Sequence, residues 1–167
     1  MRNNLLILFF LFSSICSALA NDQFTFDVSK IEISENGNKI IGLNRGLITS
    51  NNGIIIEADS FEYNKKNNLL KVSGKVIVNN PLKKYQIFSD KITYLKNEDI
   101  ITAKNQIKFI DNNERIITSN NFLYDVKNNI FRSKGNVKIE DINKNLEVNS
   151  EEIIYLKDKE TIISLGL

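Results

Sequence analysis

The chain has no histidine and no tryptophan, one cysteine (Cys16), one proline (Pro81) and one methionine, Met1. Without histidine there is no Ser-His-Asp relay and no imidazole ligand for zinc. A single cysteine cannot close an intrachain disulfide, so the fold must hold by packing alone. Neither charge dominates: 22 Lys and Arg stand against 20 Asp and Glu, interleaved along the chain. That excludes the clustered positive surface a nucleic-acid partner needs. After residue 20 no apolar run is long enough for a transmembrane helix. Cofactor and metal chemistry find no ligand set, and the mixed column Asp59, Asp90, Asn120, Glu151 lacks the converging oxygens calcium takes. Only a two-carboxylate hydrolase survives this elimination as an enzyme class.

What is present begins with a leader. Arg2 precedes the apolar run Leu5 to Phe12, and Ala18-Leu19-Ala20 offers a small-residue cleavage site. This pattern predicts a secretory signal peptide over residues 1–20, whose apolar part is too short to span a bilayer. Ile15 before Cys16 argues against a lipid anchor. Residues 21–167 then form one domain, large enough for a real core.

That domain repeats. Ala58-Asp59-Ser60-Phe61-Glu62-Tyr63 is echoed by Ser89-Asp90-Lys91-Ile92-Thr93-Tyr94, by Ser119-Asn120-Asn121-Phe122-Leu123-Tyr124, and by Ser150-Glu151-Glu152-Ile153-Ile154-Tyr155. Tyrosines at 63, 94, 124 and 155 give steps of 31, 30 and 31. A fixed period of this size marks a stacked array in which each unit buries its apolar face on its neighbours. Apolar and polar residues alternate with period two, as in strands. In each unit the apolar parity flips, from Ile56/Ala58 to Phe61/Tyr63 and at the same places in the other copies. A strand cannot keep both sets inside without a bulge or bend. The flip falls at Asp59, Asp90, Asn120 and Glu151, whose side chains are expected to hold local backbone N–H groups. Fifteen residues on lie Gly74, Asn105, Gly135 and Gly166, the residue types that best accept positive φ, so a second kink is predicted there. Turn-rich clusters lie between, at 64–68, 96–99, 125–129 and 157–160. Residues 24–56 read as a degenerate first copy, with Asn36-Gly37 as a tight turn.

The segment Ile56-Glu57-Ala58-Asp59-Ser60-Phe61-Glu62-Tyr63, with Asn67-Asn68, Leu70-Lys71-Val72 and Ser73-Gly74-Lys75-Val76, resembles the OstA-like (organic solvent tolerance) domain family. Lipopolysaccharide-transport bridge proteins of the LptA type and the periplasmic N-terminal part of LptD-type outer-membrane proteins carry this domain. The likeness runs from about Phe24 to Gly166. It implies an all-β antiparallel jellyroll, a solenoid-like stack of about four repeats, V-shaped and open at both ends. It also implies a periplasmic, non-enzymatic protein of a Gram-negative cell that shields lipid A acyl chains on the way to the outer membrane. Its partners would be lipopolysaccharide, other OstA-like domains joined by edge-strand pairing, and inner- and outer-membrane transport components. The lipid-groove residues would be Phe61, Tyr63, Leu70, Val72, Val76, Val78, Ile92, Tyr94, Ile107, Phe109, Phe122, Tyr124, Phe131, Val137 and Ile139. The same side chains fit the dry core of any β-sandwich. The last copy stops at Gly166-Leu167, where earlier copies continue into another strand half. Either the chain ends on an open edge or it is the front of a longer LptD-type polypeptide. The rival classes are a polysaccharide-active parallel β-helix and a structural adhesion module.

Overall fold

Nine strands of ten to twelve residues and a last strand of five, joined by short turns, account for nearly all of the computed structural model, which describes residues 23–112 and 114–166. The expected leader lies outside the described residues. The strands are β1 (Phe24–Ser34), β2 (Lys39–Ser50), β3 (Ile55–Asn64), β4 (Leu69–Asn80), β5 (Tyr85–Leu95), β6 (Ile100–Asp111), β7 (Arg115–Asp125), β8 (Ile130–Asp141), β9 (Leu146–Leu156) and β10 (Thr161–Leu165). Two short 3-10 turns, Glu35–Gly37 and Lys157–Lys159, are the only helical segments among the described residues. All ten strands form one antiparallel sheet in sequence order, with β1 and β10 at opposite edges. The sheet is unclosed. The antiparallel register contradicts the parallel β-helix, whose hydrogen bonds would join successive coils in parallel.

Every pairing from β1–β2 to β8–β9 carries a register irregularity at mid-strand. In β3, β5, β7 and β9 the buried parity flips as the sequence requires. Ile56 and Ala58, then Phe61 and Tyr63, are buried in β3, with Asp59 exposed between them. In the even strands two consecutive residues adopt left-handed backbone: Asn44–Arg45, Gly74–Lys75, Asn105–Gln106 and Gly135–Asn136. Gly74 has a second reason to be glycine: a Cβ there would sit 2.5 Å from Asp59 Oδ2. Two extra-twist residues opposite a parity flip bend both strands at one place, and the bends align into a corner running across the sheet.

One expectation fails at that corner. Asp59, Asp90, Asn120 and Glu151 are exposed. Asp59 accepts from the Arg45 guanidinium at 3.0 Å instead of binding its own loop. The preceding serine does the local work. The hydroxyls of Ser89, Ser119 and Ser150 donate to the carbonyls of Lys91, Asn121 and Glu152 at 3.2, 3.1 and 2.8 Å. The reason is orientation. At the flip, the acidic or amide residue is the one turned to water, whereas the serine lies inside, where an unmet carbonyl is costly.

The corner divides each strand into a half that leads to the turns at 35–38, 65–68, 96–99, 126–129 and 157–160 and a half that leads to the loops at the opposite end, such as 51–54 and 81–84. Their inward faces meet. Phe109 on the loop side packs on Phe131 on the turn side at 4.4 Å between centroids. Tyr85 meets Tyr124 at 4.9 Å, and Phe24 meets Tyr63 at 4.9 Å. One bent sheet thus supplies both layers of a sandwich. Each large apolar side chain buried between them contributes about 1.5–3 kcal/mol relative to exposure.

Candidate lipid groove and its mouth

All fifteen groove residues named from the sequence lie in this single buried core. Phe61, Tyr63, Leu70, Val72, Ile92, Tyr94, Phe122, Tyr124 and Phe131 come from the turn side; Val76, Val78, Ile107, Phe109, Val137 and Ile139 come from the loop side. They touch one another across the fold, and Phe109, Phe122 and Phe131 form a mutual aromatic cluster. Phe24, Tyr85, Ile101 and Tyr155 belong to the same core and were not named. Inward parity read outward from Ile87 and Phe26 finds Tyr85 and Phe24 without further information.

The tyrosine column is now explicable. Tyr63, Tyr94 and Tyr124 donate to the side-chain oxygens of Asn68, Asp99 and Asn129, at 2.6, 2.6 and 3.0 Å. Each acceptor is five residues on and is the left-handed residue that ends the turn. Turns then stack by backbone bonds: Lys96 N–H to Asn68 O, Val126 N–H to Asp99 O and Lys157 N–H to Asn129 O, at 2.9–3.0 Å. Burial pushes the hydroxyls of Tyr85, Tyr94, Tyr124 and Tyr155 well above the ordinary tyrosine range.

Opposite the corner, the two free margins of the bent sheet come together and polar ties lace them. Asn52 Nδ2 donates to Tyr94 Oη at 3.1 Å and to Asp99 Oδ1 at 3.0 Å. Lys83 Nζ reaches the Val126 carbonyl and, at 3.1 Å, Asn129 Oδ1. In the third tie Arg115 Nη1 donates to Tyr155 Oη at 2.5 Å and Nη2 to Asp141 Oδ2 at 2.9 Å. Tyr155 in turn donates to Asp111 Oδ2 at 2.6 Å, and Lys157 pairs with the same carboxylate. The ties start at positions 52, 83 and 115, one repeat apart. They were invisible to a search for apolar positions, yet they share a signal. Ser50, Asn80, Asp111 and Asp141 hold the inward parity at each loop end, spaced 30, 31 and 30, and all are buried.

The third tie is the only one of the three built on a carboxylate–guanidinium pair. The hydrogen bond from Arg115 holds the Asp141 carboxyl below its ordinary range. Burial works against the Arg115 charge, but Asp141, Tyr155 and Asp111 together keep its pKa above the usual value. Its ring-facing guanidinium lies 4.8 Å from the Tyr155 centroid. A cavity of about 290 Å³ opens over this tie.

At the last edge β10 pairs only with Glu152–Leu156. Residues 146–151 of β9 have no strand partner on that side among the described residues, and Ile163 and Leu165 of β10 are exposed. At the first edge β1 exposes Ile31 and Ile33. Such margins accept a further strand by backbone hydrogen bonding.

Comparison with known proteins agrees with this architecture. The periplasmic lipopolysaccharide-transport component LptH of Pseudomonas aeruginosa, an LptA homologue, superposes with a TM-score of 0.61, covering 69% of this chain and 86% of that one at 13% identity. At that identity the match speaks for the fold. No curated protein sequence matches the chain. The sequence profile described as "LptA/(LptD N-terminal domain) LPS transport protein" matches residues 55–161, from the first strand of the regular repeats to the start of β10. Since that span is more than half of the chain, the protein belongs to the LptA/LptD N-terminal domain family of lipopolysaccharide-transport proteins.

Proposed function

We propose that this protein carries lipopolysaccharide across the periplasm, with the acyl chains held between the two inward faces of the bent sheet. The observation that carries the reading is the continuous inward apolar face, repeated unit after unit under an unclosed sheet, in a chain of the transport family. Each acyl methylene withdrawn from water is worth about 0.8 kcal/mol. Hydrocarbon entering the core exchanges contacts with Phe109, Phe122 or Val137 for like contacts with lipid, so the exchange is close to neutral in apolar area. A repeated lining offers no single deep resting place, which a conduit requires. The chain acts by binding and shielding, and the inner- and outer-membrane transport components are its neighbours in the relay. The margins at β1 and at β9–β10 fit end-to-end pairing with other domains of the same fold.

The test is photo-crosslinking to lipopolysaccharide in cells. Probes at Phe122 and Val137, buried in the core, should give adducts, and a probe at Lys138, on the opposite face of β8, should not. Adducts from Lys138 with none from the two inward sites would reject the groove. End-to-end pairing is checked by light scattering, where the apparent mass should rise with concentration.

A further inference from the structure

We propose that the cavity over the Arg115 tie seats a phosphate group carried by the amphiphile whose hydrocarbon occupies the core. The proposal rests on the transport reading and adds to it a headgroup site. Five cationic side chains line the cavity: Lys83, Lys84, Arg115, Lys144 and Lys157. The guanidinium is the central one. It is nine-tenths buried, and its Nε is buried with no hydrogen-bond partner although both Nη groups are engaged. An unmet donor on a buried cation is costly, and a phosphate oxygen is the acceptor that a guanidinium fork matches best.

Position supplies the second argument. The cavity sits where the two margins meet, and Tyr155, one of its walls, is also part of the apolar core. A group anchored there keeps its charge at the water boundary while attached chains pass inward between the layers. The Asn52 tie to Tyr94 and Asp99 and the carbonyl-bound Lys83 do not combine a buried guanidinium with such an opening.

Four carboxylates share the lining: Asp111, Glu114, Asp141 and Glu160. Two of them, Asp111 and Asp141, occupy the donors a phosphate would use. They act as internal stand-ins, keeping Arg115 and Lys157 satisfied when no headgroup is present. Phosphate entry displaces them from these cations, and Lys144, 3.9 Å from Asp141, and the exposed Lys84 offset the added negative charge.

The test measures binding of the purified chain to diphosphorylated lipid A and to the same lipid A with both phosphates removed, with inorganic phosphate as a third probe. The phosphorylated form should bind about tenfold more tightly or better, the scale of one charge-assisted hydrogen bond. The double variant Lys84→Gln, Lys144→Gln, altered only at the cavity rim, should lose most of that difference and leave the dephosphorylated form unaffected. Arg115→Lys, which keeps the charge but not the fork, should also lose most of the discrimination between the two lipids. Equal affinity of the unmodified chain for both lipids overturns the headgroup site while leaving the transport reading in place. Saturable binding of inorganic phosphate without lipid discrimination also overturns it, assigning the cavity to the free ion. If neither lipid binds, the transport reading fails, and the headgroup site fails with it.

Discussion

Tyr94 and Tyr155 occupy the same place in two copies of one motif, and they end in different chemistry. Tyr94 donates to Asp99, five residues on, and the turn closes on itself, with Asn52 arriving from across the mouth. At the last turn the fifth residue is Glu160, also left-handed at φ 48°. Tyr155 does not bond to it. Its hydroxyl crosses the mouth to Asp111 and receives Arg115, so the tie there joins two cations and two carboxylates through one phenol. At the last turn, where Glu160 stands in place of Asn or Asp, Asp111 and Arg115 reach the tyrosine from across the mouth, and a charged bridge stands where the other copies have a local turn lock. Repetition fixes where the tyrosine sits, and the charged groups that reach it across the mouth decide what it holds.

The largest effect should be common to both sites and comes from base. Four buried tyrosines have folded-state pKa values raised above the unfolded value of about 10. Groups raised in the folded state stabilise it fully below the unfolded pKa and lose that contribution as pH climbs toward the folded one. Stability should therefore fall above pH ~10, by up to about 5 kcal/mol per pH unit if all four remain protonated in the fold. Denaturant midpoints measured across this range check it. Tyr94→Phe and Tyr155→Phe should each flatten the slope by about 1.4 kcal/mol per unit, since the two rings are alike in burial.

At neutral pH the two sites should part. Arg115→Met leaves Asp141 buried without its guanidinium and takes a cation from beside Asp111, and should cost about 3–5 kcal/mol by urea unfolding. Acid should then narrow the gap to the parent. In the parent, Asp141 is depressed, so its stabilising contribution is present above the ordinary carboxylate pKa and is lost as pH falls through the folded value. In the variant the same carboxyl keeps only the Lys144 backbone N–H and the more distant Lys144 ammonium, so it is less depressed and loses less stability in acid. Tyr155→Phe removes bonds to two charged groups and should cost about 1.5–3 kcal/mol. Tyr94→Phe should cost about 0.5–1.5 kcal/mol, because Asp99 keeps Asn52 and Lys96.

Much of this architecture was legible in the residues themselves. The parity flip at Asp59 and its echoes placed the corner, and Gly74, Asn105, Gly135 and Gly166 marked left-handed backbone, because period-two burial and positive φ are local demands. The role of the flip residue was misjudged. Sequence shows that Asp59 lies between two parities, but not which of its neighbours faces inward with an unmet carbonyl. The groove list was sound for burial because alternation encodes it. The ties across the mouth were not read, because Arg115 and Tyr155 are forty residues apart and their meeting depends on the angle of the bend. Asp111 and Asp141 carried a hint, charges at an inward parity, that an apolar search discards.

The smallest predicted effect sharpens the comparison most. Glu160→Asn places in the last turn the residue type that serves at Asn68 and Asn129. Asn tolerates left-handed backbone better than Glu, so stability should rise, by at most about 1 kcal/mol. The new side-chain oxygen would then compete with Asp111 for the Tyr155 hydroxyl. Asp111 still holds Lys157, and its buried carboxylate is the stronger acceptor, so the bridge should persist. Arg115→Met in the Glu160→Asn background should then cost as much as it does alone, and their effects should add within about 0.5 kcal/mol. A marked shortfall in the double variant would mean that Tyr155 had returned to its own turn, and that residue 160, rather than the pull of Asp111 and Arg115, chooses between the two ties.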